Sequence, residues 1–170
     1  MDWELFDMKG IGRLVLAAAG TMLVSGPVSA AACWSNATVE AAYVRDFDTI
    51  LMVATLRCRV EKPEMTADYN KFVRDKRALL TAANDELRTQ LSTGRTAKAG
   101  MDAYDRFVTQ LANSHGANAE GLSCDEYHAL TRAASAGSAD RAALLQLAVK
   151  AGASPTLPVQ ACTREVAFGR

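Results

Sequence analysis

Ile50-Leu-Met-Val-Ala-Thr-Leu56 is apolar nearly all round. A helix of that kind is buried on most of its sides, not along one stripe. The run continues a helical pattern. Val39, Tyr43, Phe47, Ile50, Ala54 and Cys58 recur at 3.6-type spacing. Ser35 or Asn36 is suited to cap its start, and Lys62-Pro63 ends it after about Arg59. This segment is therefore expected to be the central helix of an all-α fold.

Further helices follow. Thr66 is placed to cap a helix over 67–91, with Tyr69, Phe72, Val73, Leu80, Ala83, Leu87 and Leu91 as its buried stripe. Gly94 suits a left-handed stop. A third helix is expected over 96–114, with Met101, Tyr104, Phe107, Val108, Leu111 and Ala112 inward and Gly116 as its stop. Ser123-Cys-Asp-Glu126 has the form of a capping box. The fourth helix it opens carries Tyr127, Leu130 and Ala134 and ends at Gly137. A fifth, over 139–150, uses Leu144, Leu145 and Ala148, and Gly152 and Pro155 end it. No stretch alternates with period two, so almost no sheet is expected. The fold class is a single-domain, disulfide-linked bundle of four to five helices over 31–152, with an extended tail over 153–170 tied by Cys162.

Residues 1–30 read as a cleaved signal peptide. Lys9 and Arg13 precede the apolar run Leu14–Val24, and Ser25-Gly26-Pro27 and small residues up to Ala32 follow. Asp2, Glu4 and Asp7 are foreign to such a segment, and a start at Met8 gives a cleaner one. Cleavage is expected after Ala30, with Ala32 as the alternative. The remainder carries 17 basic against 16 acidic residues. It has no basic stripe of the kind that binds nucleic acid. An Ala-rich composition with Arg above Lys fits a GC-rich bacterial genome, so the expected compartment is the periplasm. There the sequon Asn36-Ala37-Thr38 has no consequence. Lipid anchoring at Cys33 is the alternative localisation. It is disfavoured because a lipobox carries an aliphatic residue where Ala30 stands.

The chain has four cysteines, at long spacings and with no Cys-x-x-Cys. An exported protein usually pairs an even number of cysteines, and zinc sites usually take two ligands from one short turn. In an up-down bundle, the ends of the first and third helices lie together. That arrangement favours Cys58–Cys124, and leaves Cys33–Cys162 for the tail to close.

Catalytic motifs are absent: no Gly-x-Ser-x-Gly, His-Glu-x-x-His, P-loop or Rossmann glycine pattern occurs. No metal and no cofactor are expected. His115 is expected to cap its helix C-terminus, and His128 to lie on the surface beside Asp125 and Glu126. Asp46 with Asp48, and Asp102 with Asp105, lack the spacing that shares a helix face. Asn84 and Asp85 lie among core positions of the second helix, where buried amides usually bond backbone. Tyr69, Asn70, Arg74, Asn113 and His115 are the pocket candidates, weighed against a structural role for each.

With Ile50-Leu-Met-Val-Ala-Thr-Leu-Arg-Cys58, Ala67-Asp-Tyr-Asn-Lys-Phe-Val-Arg74 and Ala103-Tyr-Asp-Arg-Phe-Val-Thr-Gln-Leu-Ala-Asn113, the chain resembles a family of small exported bacterial proteins of unknown function. They share a leading Cys-Trp, a Leu-Arg-Cys and a Tyr-Asn-x-Phe. The resemblance covers most of 33–150. Some members bear the label S-adenosylhomocysteine hydrolase. That activity implies an NAD-binding Rossmann domain far larger than this chain, so the label is not carried over. The leading functional expectation is a non-catalytic periplasmic protein that binds another protein or a small ligand, in a role linked to envelope stress. No Leu-Thr-x-x-Gln of the Spy-like chaperones occurs. The alternative is a small envelope hydrolase acting on cell-wall material. It requires two convergent carboxylates in a cleft, or His115 beside a carboxylate.

Overall fold

The computed structural model describes residues 33–116, 121–137 and 140–162. The expected signal segment and the last residues of the tail lie outside them. Among the described residues the chain forms six helices: α1 (Asn36–Cys58), α2 (Met65–Asp75), α3 (Arg77–Ser92), α4 (Ala97–Gly116), α5 (Cys124–Ala136) and α6 (Arg141–Lys150). The only pairing of β type among them is an isolated parallel bridge between Trp34 and Ala161. The single-domain all-α reading holds.

α1 is the central element and packs against each of the other five helices. Ser35 caps it, its Oγ accepting from the Thr38 amide at 3.2 Å. Val39, Ala42, Phe47, Ile50, Leu51 and Ala54 are all buried along it. So are Thr49 and Thr55, whose hydroxyls donate back to the Arg45 and Leu51 carbonyls at 2.9 and 2.7 Å. That bond lets a hydroxyl enter the core without losing its partner. Leu56 departs from the all-round burial expected and stands 62% exposed.

The expected second helix is two helices. The break falls at Lys76 (φ −100°, ψ 11°), whose amide donates to the Phe72 and Arg74 carbonyls. No glycine or proline marks it. Its cause is tertiary: Lys76 is buried, and its Nζ donates to the Gly137 carbonyl at the end of α5. Lys71 reaches the Ser135 carbonyl of the same turn at 3.5 Å. Two ammonium groups thus meet the negative end of α5. Thr66 lies inside α2 and does not cap it; Glu64 holds the cap position.

Gly94 turns the chain with φ 71°, as expected. At Gly100 a Cβ would lie 2.3 Å from Ser92 Oγ, so α4 approaches α3 at a distance only glycine allows. The neighbouring Met101, expected in the core, points outward and is 68% exposed. Tyr104, Phe107 and Leu111 fill the core from α4. The capping box of α5 forms in full, with Ser123 Oγ and Glu126 exchanging bonds with each other's amides. Asp140 caps α6, its carboxylate accepting from the Ala143 amide at 2.7 Å.

Both expected disulfides are present: Cys58–Cys124, and Cys33–Cys162 with its Cα atoms 4.8 Å apart. The second ties the tail to the start of the described chain. There the Trp34 amide donates to Gln160 O at 2.9 Å, and the Cys162 amide to Trp34 O at 2.8 Å. With its sulfur in this bridge, Cys33 carries no free thiol.

Candidate functional site

Two buried carboxylates on α1 organise the polar interior. Asp46 is 1% exposed. Its Oδ1 lies 2.5 Å from His115 Nε2, and its Oδ2 accepts from the Ser154 amide at 2.8 Å. One side chain therefore joins α1, the last turn of α4 and the tail. His115 is not a free C-cap: its imidazole is spent on a partner from another helix.

Asp48, two residues on, points to a different neighbour. Its Oδ2 takes the Arg45 guanidinium, and its Oδ1 accepts from Tyr69 Oη at 3.0 Å. Burial pushes its carboxyl above the ordinary range, against the opposing pull of Arg45 and of the Tyr69 hydrogen bond. The Tyr69 hydroxyl is raised in turn, first by burial and then by the Asp48 charge. A tyrosine so placed stays protonated and serves as a donor. Arg45 Nε is buried with no hydrogen-bond partner.

The remaining polar candidates divide between exposure and pairing. Asn70, Arg74 and Asn113 are exposed. Of the five pocket candidates, His115 alone lines the hollow between α1, α4 and α5. That hollow measures about 130 Å³ and includes Ser114, Arg57 and Tyr127. Arg57 lies over the Tyr127 ring at 5.1 Å and donates to the Leu122 carbonyl at 3.2 Å. Ser114 Oγ donates to Leu111 O at 2.8 Å. His128, expected on the surface, is largely covered. Its Nε2 lies 2.7 Å from Asp68, and its Nδ1 3.6 Å from Glu64, which links α5 to α2. Asn84 is half-buried and accepts from Tyr104 Oη at 3.0 Å, whereas Asp85 is exposed.

A larger concavity lies where α3, α4 and the tail meet. Two adjoining open hollows of about 310 and 250 Å³ share Leu91, Arg95 and Pro158. Trp34 and Val159 line the first; Ala103, Phe107 and Arg106 line the second. Trp34 and Phe107 meet edge to face with centroids 5.8 Å apart, which fixes the floor. Arg95 Nη1 donates to Leu91 O at 2.7 Å. Among the described residues neither hollow is lined by a carboxylate. Sequence reading placed Phe107 in the core and assigned Arg95 and Arg106 no role. The available signals were Arg106 beside a core aromatic, and Arg95 just past the glycine turn.

Among the described residues no group of three or more His, Cys, Asp or Glu side chains could hold a metal ion, and no helix is long and apolar enough to cross a membrane. No protein-family model, curated protein or solved structure matches the chain.

Proposed function

We propose that the protein is an exported, non-catalytic binding protein of the periplasm that holds a small ligand in the groove between α3, α4 and the tail. The groove carries this reading. It is concave and floored by aromatic and aliphatic side chains, with a few charged groups at its wall, which is the usual make-up of a ligand site. The buried titratable groups support it from the other direction. Asp46, Asp48 and His128 are each held by partners on other segments, so they serve as cross-links between helices. Two disulfides fit an oxidising compartment. The test is a small-molecule screen read by NMR shifts on the full chain. Ligands that move resonances of Trp34, Phe107 and Arg106 together support the reading. Turnover of a cell-wall substrate, with no compound shifting the groove, sinks it.

One observation favours the alternative, a small envelope hydrolase: His115 does stand beside a carboxylate at the wall of a hollow. Against it, the Ser114 hydroxyl that lines the same hollow donates to a backbone carbonyl. Hydrolysis of peptidoglycan fragments by the natural protein, abolished in His115→Ala with the fold intact, would establish this second reading.

A further inference from the structure

The chemistry of the groove indicates its ligand class. Arg95 and Arg106 both line its second hollow, Arg95 from the α3–α4 turn and Arg106 from α4. Nearby acids of this face are directed elsewhere. Asp102 is paired with Lys98 at 2.8 Å, and Asp105 lines a separate hollow with Arg88 and Tyr104. Among the described residues the two guanidinium groups therefore line a hollow without a carboxylate. The bond from Arg95 to Leu91 O anchors one end of its fork and leaves its other N–H groups for a ligand. A guanidinium fork matches a carboxylate in two parallel bonds. Beneath it the floor is apolar: Leu91, Ala103 and Phe107, continuing to Trp34. A bare phosphate or sulfate would leave that floor unused. We infer that the groove binds a small organic acid, an apolar body bearing one carboxylate, with Arg95 and Arg106 on the carboxylate and the body against Pro158 and Val159, over the edges of Phe107 and Trp34.

This inference rests on the binding reading above and can fail without it. The test uses the full chain carrying Trp3→Phe, so that Trp34 is its sole tryptophan and reports on the groove floor. The probes are 3-phenylpropionate, its neutral amide and inorganic phosphate, followed by calorimetry for affinity and by Trp34 emission for location. The acid should bind and perturb Trp34. The amide and phosphate should each bind at least about tenfold more weakly. Arg106→Gln, at an exposed position, should weaken the acid by about tenfold or more while circular dichroism stays unchanged. Equal affinity for acid and amide would overturn the acid chemistry and leave a binding groove standing. Binding of phosphate as tight as the acid, indifference to Arg106→Gln, or no binding of any probe would each overturn the inference.

Discussion

His115 on α4 and Asp46 on α1, separated by 69 positions in sequence, meet at 2.5 Å, with the carboxylate buried. The same carboxylate receives the Ser154 amide. Removing it orphans an imidazole and a backbone donor together. Asp46→Ala should cost about 2–4 kcal/mol of stability, within the range for breaking a buried, hydrogen-bonded charge. His115→Ala should cost less, because Ser154 still serves the carboxylate. A double-mutant cycle by urea denaturation should give a coupling of about 1–3 kcal/mol. Additive losses would mean that the two groups ignore each other.

Asp48 gives a pH signature of defined sign. Its folded carboxyl titrates above the ordinary value of 3.8. Between the two values the native state binds more protons than the unfolded one, so stability falls as pH rises through that window. Asp48→Asn lacks this titration. The variant should therefore gain on the natural protein as pH rises from below 3.8 through the folded value, and the difference should then level off. Urea melts across acidic pH measure it. A gap that stays flat, or moves the other way, contradicts the burial of this carboxyl as a charge.

Lys76 gives a test of tertiary helix breaking. Lys76→Met keeps the buried stem and removes the bond to the Gly137 carbonyl. A loss of about 1–3 kcal/mol is expected. Arg77→Met, next to it but exposed, should stay within about 0.5 kcal/mol. Equal effects at the two sites would show that the ammonium contributes nothing there.

The bridge Cys58–Cys124 closes 66 positions of chain. Loop-closure entropy sets its worth at about 4 kcal/mol. A Cys58→Ala/Cys124→Ala double variant should lose stability of that order in chemical denaturation. Non-reducing peptide mapping of the natural protein should find both bridges in their stated pairings. Recovery of Cys58 on a peptide with Cys33 or Cys162 would contradict the fold.

The features legible in the sequence are those with local causes. Ser35, Gly94 and the Ser123–Glu126 box act within a few residues of themselves, and their signals sit in the chain where the structure uses them. The long apolar run of α1 marks the one helix that must touch all the others. The pairing Cys58–Cys124 followed because helix lengths and chain reversals bring those two ends together, whereas Cys33–Cys162 was the pair that remained and its closure depends on the path of the tail. The break at Lys76 was hidden because lysine is a good helix former and its reason, the Gly137 carbonyl, lies in α5. His115 was read through its own helix end, whereas its partner comes from α1. Asp46 and Asp48 were correctly denied a common face, but what each reaches from its own face depends on packing. The groove was invisible for the same reason: its arginines, floor and rim come from three separated segments.

The closeness of Cys33 and Cys162, with Cα atoms 4.8 Å apart across a separation of 129 positions, has a mechanical meaning. Tension applied to the chain on either side of the two cysteines passes from one backbone to the other through the covalent bridge. The helices between them hang off that line of force as a closed ring and feel almost none of it. In its oxidised form the folded body is a bead on a taut string, extensible only after the bridge is reduced.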